Sequence, residues 1–177
     1  MESSTVPIIT QTCAECIDRL LERDRRILAE GGRISTRILY PTDGSDVAEC
    51  ALDQAIYLAE ATGSEIIVLH VVEDGKKLDH SSLDILKKIG EEFVQKACKK
   101  MEDHGITAHP IVVDGKPFHE ITNLAKSTDV SMIVMGTHGT GGLTHAPLGS
   151  VADRVIRTSL CPVLLVPMPQ KQKVRDR

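Results

Sequence analysis

The residues of this chain best suited to chemistry are Gly136-Thr137-His138-Gly139 and, after nine further residues, Gly149-Ser150. The first loop follows the apolar run Val130-Ser131-Met132-Ile133-Val134-Met135, and a helical pattern opens at Ser150. Glycines let the backbone come close to an anion. The free N–H groups at a helix start add donors and partial positive charge. Strand, glycine loop and helix start together make a phosphate cradle.

A second loop, Pro41-Thr42-Asp43-Gly44, follows another short apolar run. In open parallel sheets ligands bind beyond the carboxyl ends of the strands, where the strand order reverses. Two such loops meeting there would suit a nucleotide: Asp43 accepting hydrogen bonds from ribose hydroxyls or the base, the glycine loop holding phosphates. Plainer roles compete. Asp43 also suits a turn or a helix cap, and Ser150-Val151-Ala152-Asp153 fits a capping box. His138 reads as a solvated loop residue or as a phosphate contact or acid–base group. His145 reads as solvated, and His70 as a core or rim histidine with a satisfied hydrogen bond.

The elements that must position these loops alternate from Arg37 onward. Ile38-Leu39-Tyr40 reads as a first strand, and Asp46 to about Thr62 as a helix burying Ala48, Ala51, Leu52, Ala55, Ile56 and Ala59, stopped by Gly63. Glu65 to Val72 is a second strand, apolar enough to be covered on both faces. Glu73 to His80 reads as a flexible connection, and Ser81-Ser82-Leu83-Asp84 as a capping box for a helix that ends at Gly105. Ile106–Val113 is a third strand, Pro117 to about Ser127 a helix, Val130–Met135 a fourth strand, Ser150 to about Thr158 a helix and Pro162–Val166 a fifth strand. This alternation predicts an α/β fold with a parallel sheet covered on both sides.

Residues 1–34 stand apart, with an amphipathic helix from about Thr12 to Glu30 and a Gly31-Gly32 hinge. Cys13, Cys16, Ile17, Leu20, Leu21, Ile27 and Leu28 share its apolar side, which must pack on its own domain or on a partner subunit. Cys13-Ala14-Glu15-Cys16 supplies only half of a zinc site, so packing is the expectation for both cysteines. Glu22-Arg23-Asp24-Arg25-Arg26 reads as a solvated face. The expected organisation is an N-terminal helical extension (1–34), a nucleotide-binding domain (35–169) and a basic tail (170–177).

Composition narrows the partners. Aromatic residues are 2% of the chain, with no Trp, so no stacking platform for single-stranded nucleic acid exists. A net charge of −4 argues against duplex binding as well. No run is long enough for a membrane span. Met1-Glu2-Ser3-Ser4 opens neither a basic nor an apolar signal region. The five cysteines are odd in number and scattered, which points to reduced thiols and a cytoplasmic location.

Ile38-Leu39-Tyr40-Pro41-Thr42-Asp43-Gly44-Ser45, Leu69-His70-Val71-Val72 and the span from Ile133 to Pro167 resemble the universal stress protein family. The glycine pattern is similar to the motif of its ATP-binding branch. The resemblance covers about Arg37 to Pro167. It implies an open five-stranded parallel sheet ordered 3-2-1-4-5 and a homodimer paired through Val163-Leu164-Leu165-Val166. It also implies ATP or another adenine nucleotide, AMP or cyclic AMP among them. Pro41, Thr42 and Asp43 would lie at base and ribose, Val71 at the base, and Met135 and Gly136 along ribose and phosphate. His138 would lie within the phosphate loop, with Gly139, Gly149, Ser150 and Val151 holding phosphates. One departure stands out. Many members carry Lys or Arg just after the second glycine, where this chain has Thr140, and no Lys or Arg occurs between Gly136 and Asp153. Triphosphate charge would fall to backbone dipoles and a divalent cation, Mg²⁺.

No Walker A sequence is present, and no second acidic residue can be placed to orient a water. The leading expectation is therefore a dimeric, nucleotide-dependent stress or regulatory protein with an unknown protein partner. A nucleotide-independent interaction protein and a weak ATPase are the alternatives.

Overall fold

The computed structural model describes residues 13–32, 34–73, 79–140 and 148–169, with side chains from Ile17 onward. The readings made for 1–12, the 74–78 part of the connection, His145 and the 170–177 tail lie outside the described residues, as do the side chains of Cys13 and Cys16. The elements run α1 (Cys13–Ala29), β1 (Arg37–Pro41), α2 (Asp46–Thr62), β2 (Glu65–Glu73), α3 (His80–Asp103), β3 (Ala108–Gly115), α4 (Pro117–Ser127), β4 (Met132–Gly136), α5 (Ser150–Thr158) and β5 (Val163–Val166). All strand pairs are parallel, and the order is β3-β2-β1-β4-β5. The sheet order therefore reverses between β1 and β4.

Two apolar layers sandwich the sheet. On one face α2 and α3 bury Leu52, Ile56, Val94 and Met101 against Ile38, Tyr40, Ile66 and Val68. On the other, α4 and α5 bury Ile121, Leu124 and Val155 against Leu39, Ile67, Ile111 and Ile133, and Leu20 of α1 joins them. The N-terminal helix thus packs on its own domain. Its face is narrower than expected: Leu28 is 57% exposed.

The stretch Glu22–Arg26 is not a uniformly solvated face. Asp24 is buried, and its carboxylate pairs with the buried Arg37 guanidinium at the start of β1. Arg23 grips both oxygens of Glu65, at the start of β2, at 2.6 Å each. His109 Nε2 lies 2.8 Å from the same carboxylate. Burial works against the Glu65 charge, but the Arg23 fork and His109 outweigh it and hold the carboxyl at about 2.

Two helix starts also differ from expectation. Asp79, not Ser81, caps α3 by accepting from Ser82 N at 2.8 Å. An extended residue whose carboxylate reaches the third backbone N–H on is the favoured cap, and Asp79 stands nearer the helix start. At α5 the cap position is Gly149, with no side-chain cap bond, so Ser150 is the first helical residue rather than the cap.

Candidate functional site

The loops after β1 and β4 meet at the switch point and open into a cleft of about 730 Å³. The β1 loop is built by short hydrogen bonds. Thr42 N donates to Leu69 O at 2.8 Å, Thr42 Oγ1 accepts from Gly44 N, and Ser45 caps α2 by accepting from Ala48 N. Asp43 forms the expected turn by accepting from Ser45 N through Oδ1 at 3.1 Å. The capping alternative for Asp43 fails, since Ser45 takes that position. The other Asp43 oxygen crosses to the glycine loop and accepts from Thr140 N at 2.7 Å.

The β4 loop is tied from both sides. Thr137 N donates to Val166 O, and Gly149 N donates to Thr137 O at 2.8 Å. Nearby, His138 Nδ1 and Thr137 Oγ1 share a hydrogen bond. At Gly149 an added Cβ would lie 3.2 Å from both His138 Cα and Thr137 O; at Gly139 it would lie 2.5 Å from Asp43 Oδ2. At Gly149 the missing side chain thus lets two stretches of backbone pack closely, whereas at Gly139 it makes room for the Asp43 carboxylate. The first-turn N–H groups of Ser150, Val151 and Ala152 fall outside the ladder of α5, and no side chain caps them. All three residues line the cleft.

Pro41, Thr42, Asp43, Val71, Met135, Gly136, His138, Gly139, Gly149, Ser150 and Val151 are all brought to this one cleft. Sequence reasoning did not include Leu69, His70, Glu73, Pro117 and Ile121, which also line it. His70 was placed in the core or rim. Its Nδ1–H donates to Thr42 O at 2.8 Å and its ring meets Phe93 edge-on. Burial holds its pKa below the usual imidazole value, against the pull of the Thr42 carbonyl and Asp43. A neutral His70 therefore fixes the β1 loop from beneath. The Ser150-to-Asp153 capping box does not form, and Asp153 pairs with Arg157 at 3.0 Å instead.

The cleft is thus two-sided: Leu69, Val71, Ile121 and Met135 give an apolar wall, and the glycine loop with the α5 start gives backbone donors. Among the described residues no cluster of three or more His, Cys, Asp or Glu could hold a metal. No helix among them is long and apolar enough to cross a membrane.

This architecture is that of a doubly wound α/β protein with an open cleft at its switch point. The sequence profile of the universal stress protein family matches residues 35–167. Universal stress protein MJ0531 of Methanocaldococcus jannaschii is 35% identical over 153 residues, spanning 82% of this chain and 90% of that protein. Universal stress protein MJ0577 of the same organism is 36% identical over 151 residues, with 73% of this chain and 93% of the relative covered. A solved structure of MJ0577, the subject of a structure-based assignment of biochemical function, superposes with a TM-score of 0.72 at 32% identity. It covers 78% of this chain and 99% of its own. A universal stress protein from Archaeoglobus fulgidus, solved in complex with dAMP, superposes with a TM-score of 0.58 at 25% identity over 75% of this chain and 98% of its own. The chain belongs to the universal stress protein family.

Proposed function

We propose that the cleft binds an adenine nucleotide and that the protein works as a nucleotide-dependent regulator, a homodimer joined through β5. One observation carries the reading. Gly149 packs its Cα tightly on the backbone of Thr137 and His138, and Gly139 packs on the Asp43 carboxylate, beside an uncapped helix start in an open cleft. A purely structural turn has no need of donors left free for an anion. The apolar wall suits a base, and a family relative is solved with dAMP. Pro41, Thr42 and Val71 would meet base and ribose, and Met135, Gly136, His138, Gly139, Gly149, Ser150 and Val151 the phosphate side.

ATP, the ligand of the similar branch, would arrive with Mg²⁺ carried on its own phosphates. Both Asp43 oxygens are already bonded within the protein, and Asp153 is paired with Arg157. The dimer reading draws on the β5 edge of the sheet, where Leu160 is 81% exposed beside the exposed Leu164 and Met168. Free Cys50, Cys98 and Cys161 agree with a reducing, cytoplasmic setting. Regulation requires that nucleotide favour one conformation over another, to be read by a protein partner.

The test is thermal melting with millimolar AMP or Mg·ATP. The melting temperature should rise by about 5 °C, as expected for ligand well above its Kd. Gly149→Val should abolish the rise while the free protein keeps its own transition. An unchanged wild-type melt with every adenine nucleotide would refute the reading and favour a nucleotide-independent interaction protein.

A further inference from the structure

The turn that carries Asp43 is held on both sides by groups that reach it from beneath. Before it, the Thr42 carbonyl accepts from His70 Nδ1–H at 2.8 Å. After it, the Phe93 ring of α3 lies on Gly44, where an added Cβ would stand 2.5 Å from Phe93 Cε1 and Cζ. The two rings meet edge-on, their centroids 5.5 Å apart. His70 is seated in turn on Gly90 of α3, where a Cβ would lie 2.3 Å from His70 Cδ2. Gly44 is at φ +76°, so its turn calls for glycine in any case. Gly90 is different: it is buried in the middle of α3, where glycine weakens a helix relative to alanine. The His70 ring is what requires it there.

We infer that Gly90 and Phe93 are positioning residues for the cleft: the docking of α3 on His70 and Gly44 sets the shape of the Asp43 turn and so controls nucleotide affinity. Neither residue is among the described lining of the cleft, so this control acts from outside it. The inference rests on the nucleotide reading given above and adds how that site is regulated. The contacts form an unbroken series: helix backbone to imidazole, imidazole to the Thr42 carbonyl, phenyl ring to the Gly44 backbone. Asp43 carries the series across to the second loop, since its Oδ2 accepts from Thr140 N at 2.7 Å. Coupling of this kind is reciprocal. A ligand that favours this turn must favour a docked α3 by the same factor, and whatever lifts α3 must loosen the ligand.

The experiment is isothermal titration of the full chain with AMP and with Mg·ATP, beside the melting temperature of each free protein. Gly90→Ala drives the His70 ring off the Thr42 carbonyl and should weaken binding about tenfold, the effect of one lost hydrogen bond. Phe93→Leu removes the ring contacts and should weaken it about threefold. With His70→Ala already in place, Gly90→Ala should cost no further affinity, because the ring it displaces is gone. Gly105→Ala serves as the control. It strains a glycine at φ +71° with nothing within 4 Å, so it should lower the melting temperature and leave affinity unchanged. Wild-type affinity in Gly90→Ala would overturn the inference, as would an equal loss with and without the His70 ring, or a matching loss in Gly105→Ala. Should Gly90→Ala fail to fold, Phe93→Leu decides: weaker binding upholds the inference and wild-type affinity overturns it. In each overturning case, binding by the wild type leaves the nucleotide reading intact. Failure of the wild type to bind any nucleotide would end both.

Discussion

The two ends of this sheet solve the same electrostatic problem in opposite ways. At the amino ends of β1, β2 and β3, five ionisable side chains close on one another: Arg23 and Asp24 from α1 meet Arg37, Glu65 and His109. At the carboxyl ends of β1 and β4, backbone donors face an open cleft and the one central carboxylate, Asp43, binds only main chain. The first arrangement is satisfied from within the protein and serves structure. The second leaves capacity for something from outside. Charge content alone would have pointed to the wrong end, since the buried charge cluster with Arg23 and Arg37 stands opposite the cleft.

The contrast can be broken at its strongest point by Arg37→Ala. Removing one partner of a buried pair strands the other, so denaturant unfolding should show a loss of about 3–5 kcal/mol, with nucleotide affinity of the folded protein unchanged. A matching fall in affinity would show that the two ends are coupled. A smaller effect follows from acid. Glu65 is held at about 2 in the folded chain against an ordinary 4.5, so the unfolded chain takes up its proton first. Its stabilising contribution is complete above about pH 4.5 and is lost as pH falls toward 2. Glu65→Gln should flatten that acid limb of the stability profile. The smallest effect comes from Lys100→Ala, which breaks the exposed pair with Asp53. Its cost should be no more than about 0.5 kcal/mol and should vanish in high salt. A larger loss there would blur the distinction between buried and exposed charge on which the comparison rests.

Local patterns made much of this fold legible. The apolar face of α2, its stop at Gly63 and the start of α4 at Pro117 set those helices at the bounds observed, because such signals lie within a few residues of one another. The strand order came from resemblance, not from periodicity. Arg23 and Asp24 were misread because the partners that bury them, Glu65 and Arg37, are 42 and 13 positions away. A charged run carries no mark of that. At the cleft the glycine loops announced themselves by composition. Pro117 and Ile121 did not, since they reach the cleft only through the packing of α4 beside the sheet.

One buried phenol has a practical consequence. Tyr40, on the strand that leads into the first cleft loop, is 1% exposed and donates to Ala48 O. Burial drives its ionisation well above the usual tyrosine range. In a chain without tryptophan, its ultraviolet phenolate signal in alkaline solution would emerge only as the central strand comes apart. That gives a label-free optical readout of the scaffold beneath the cleft.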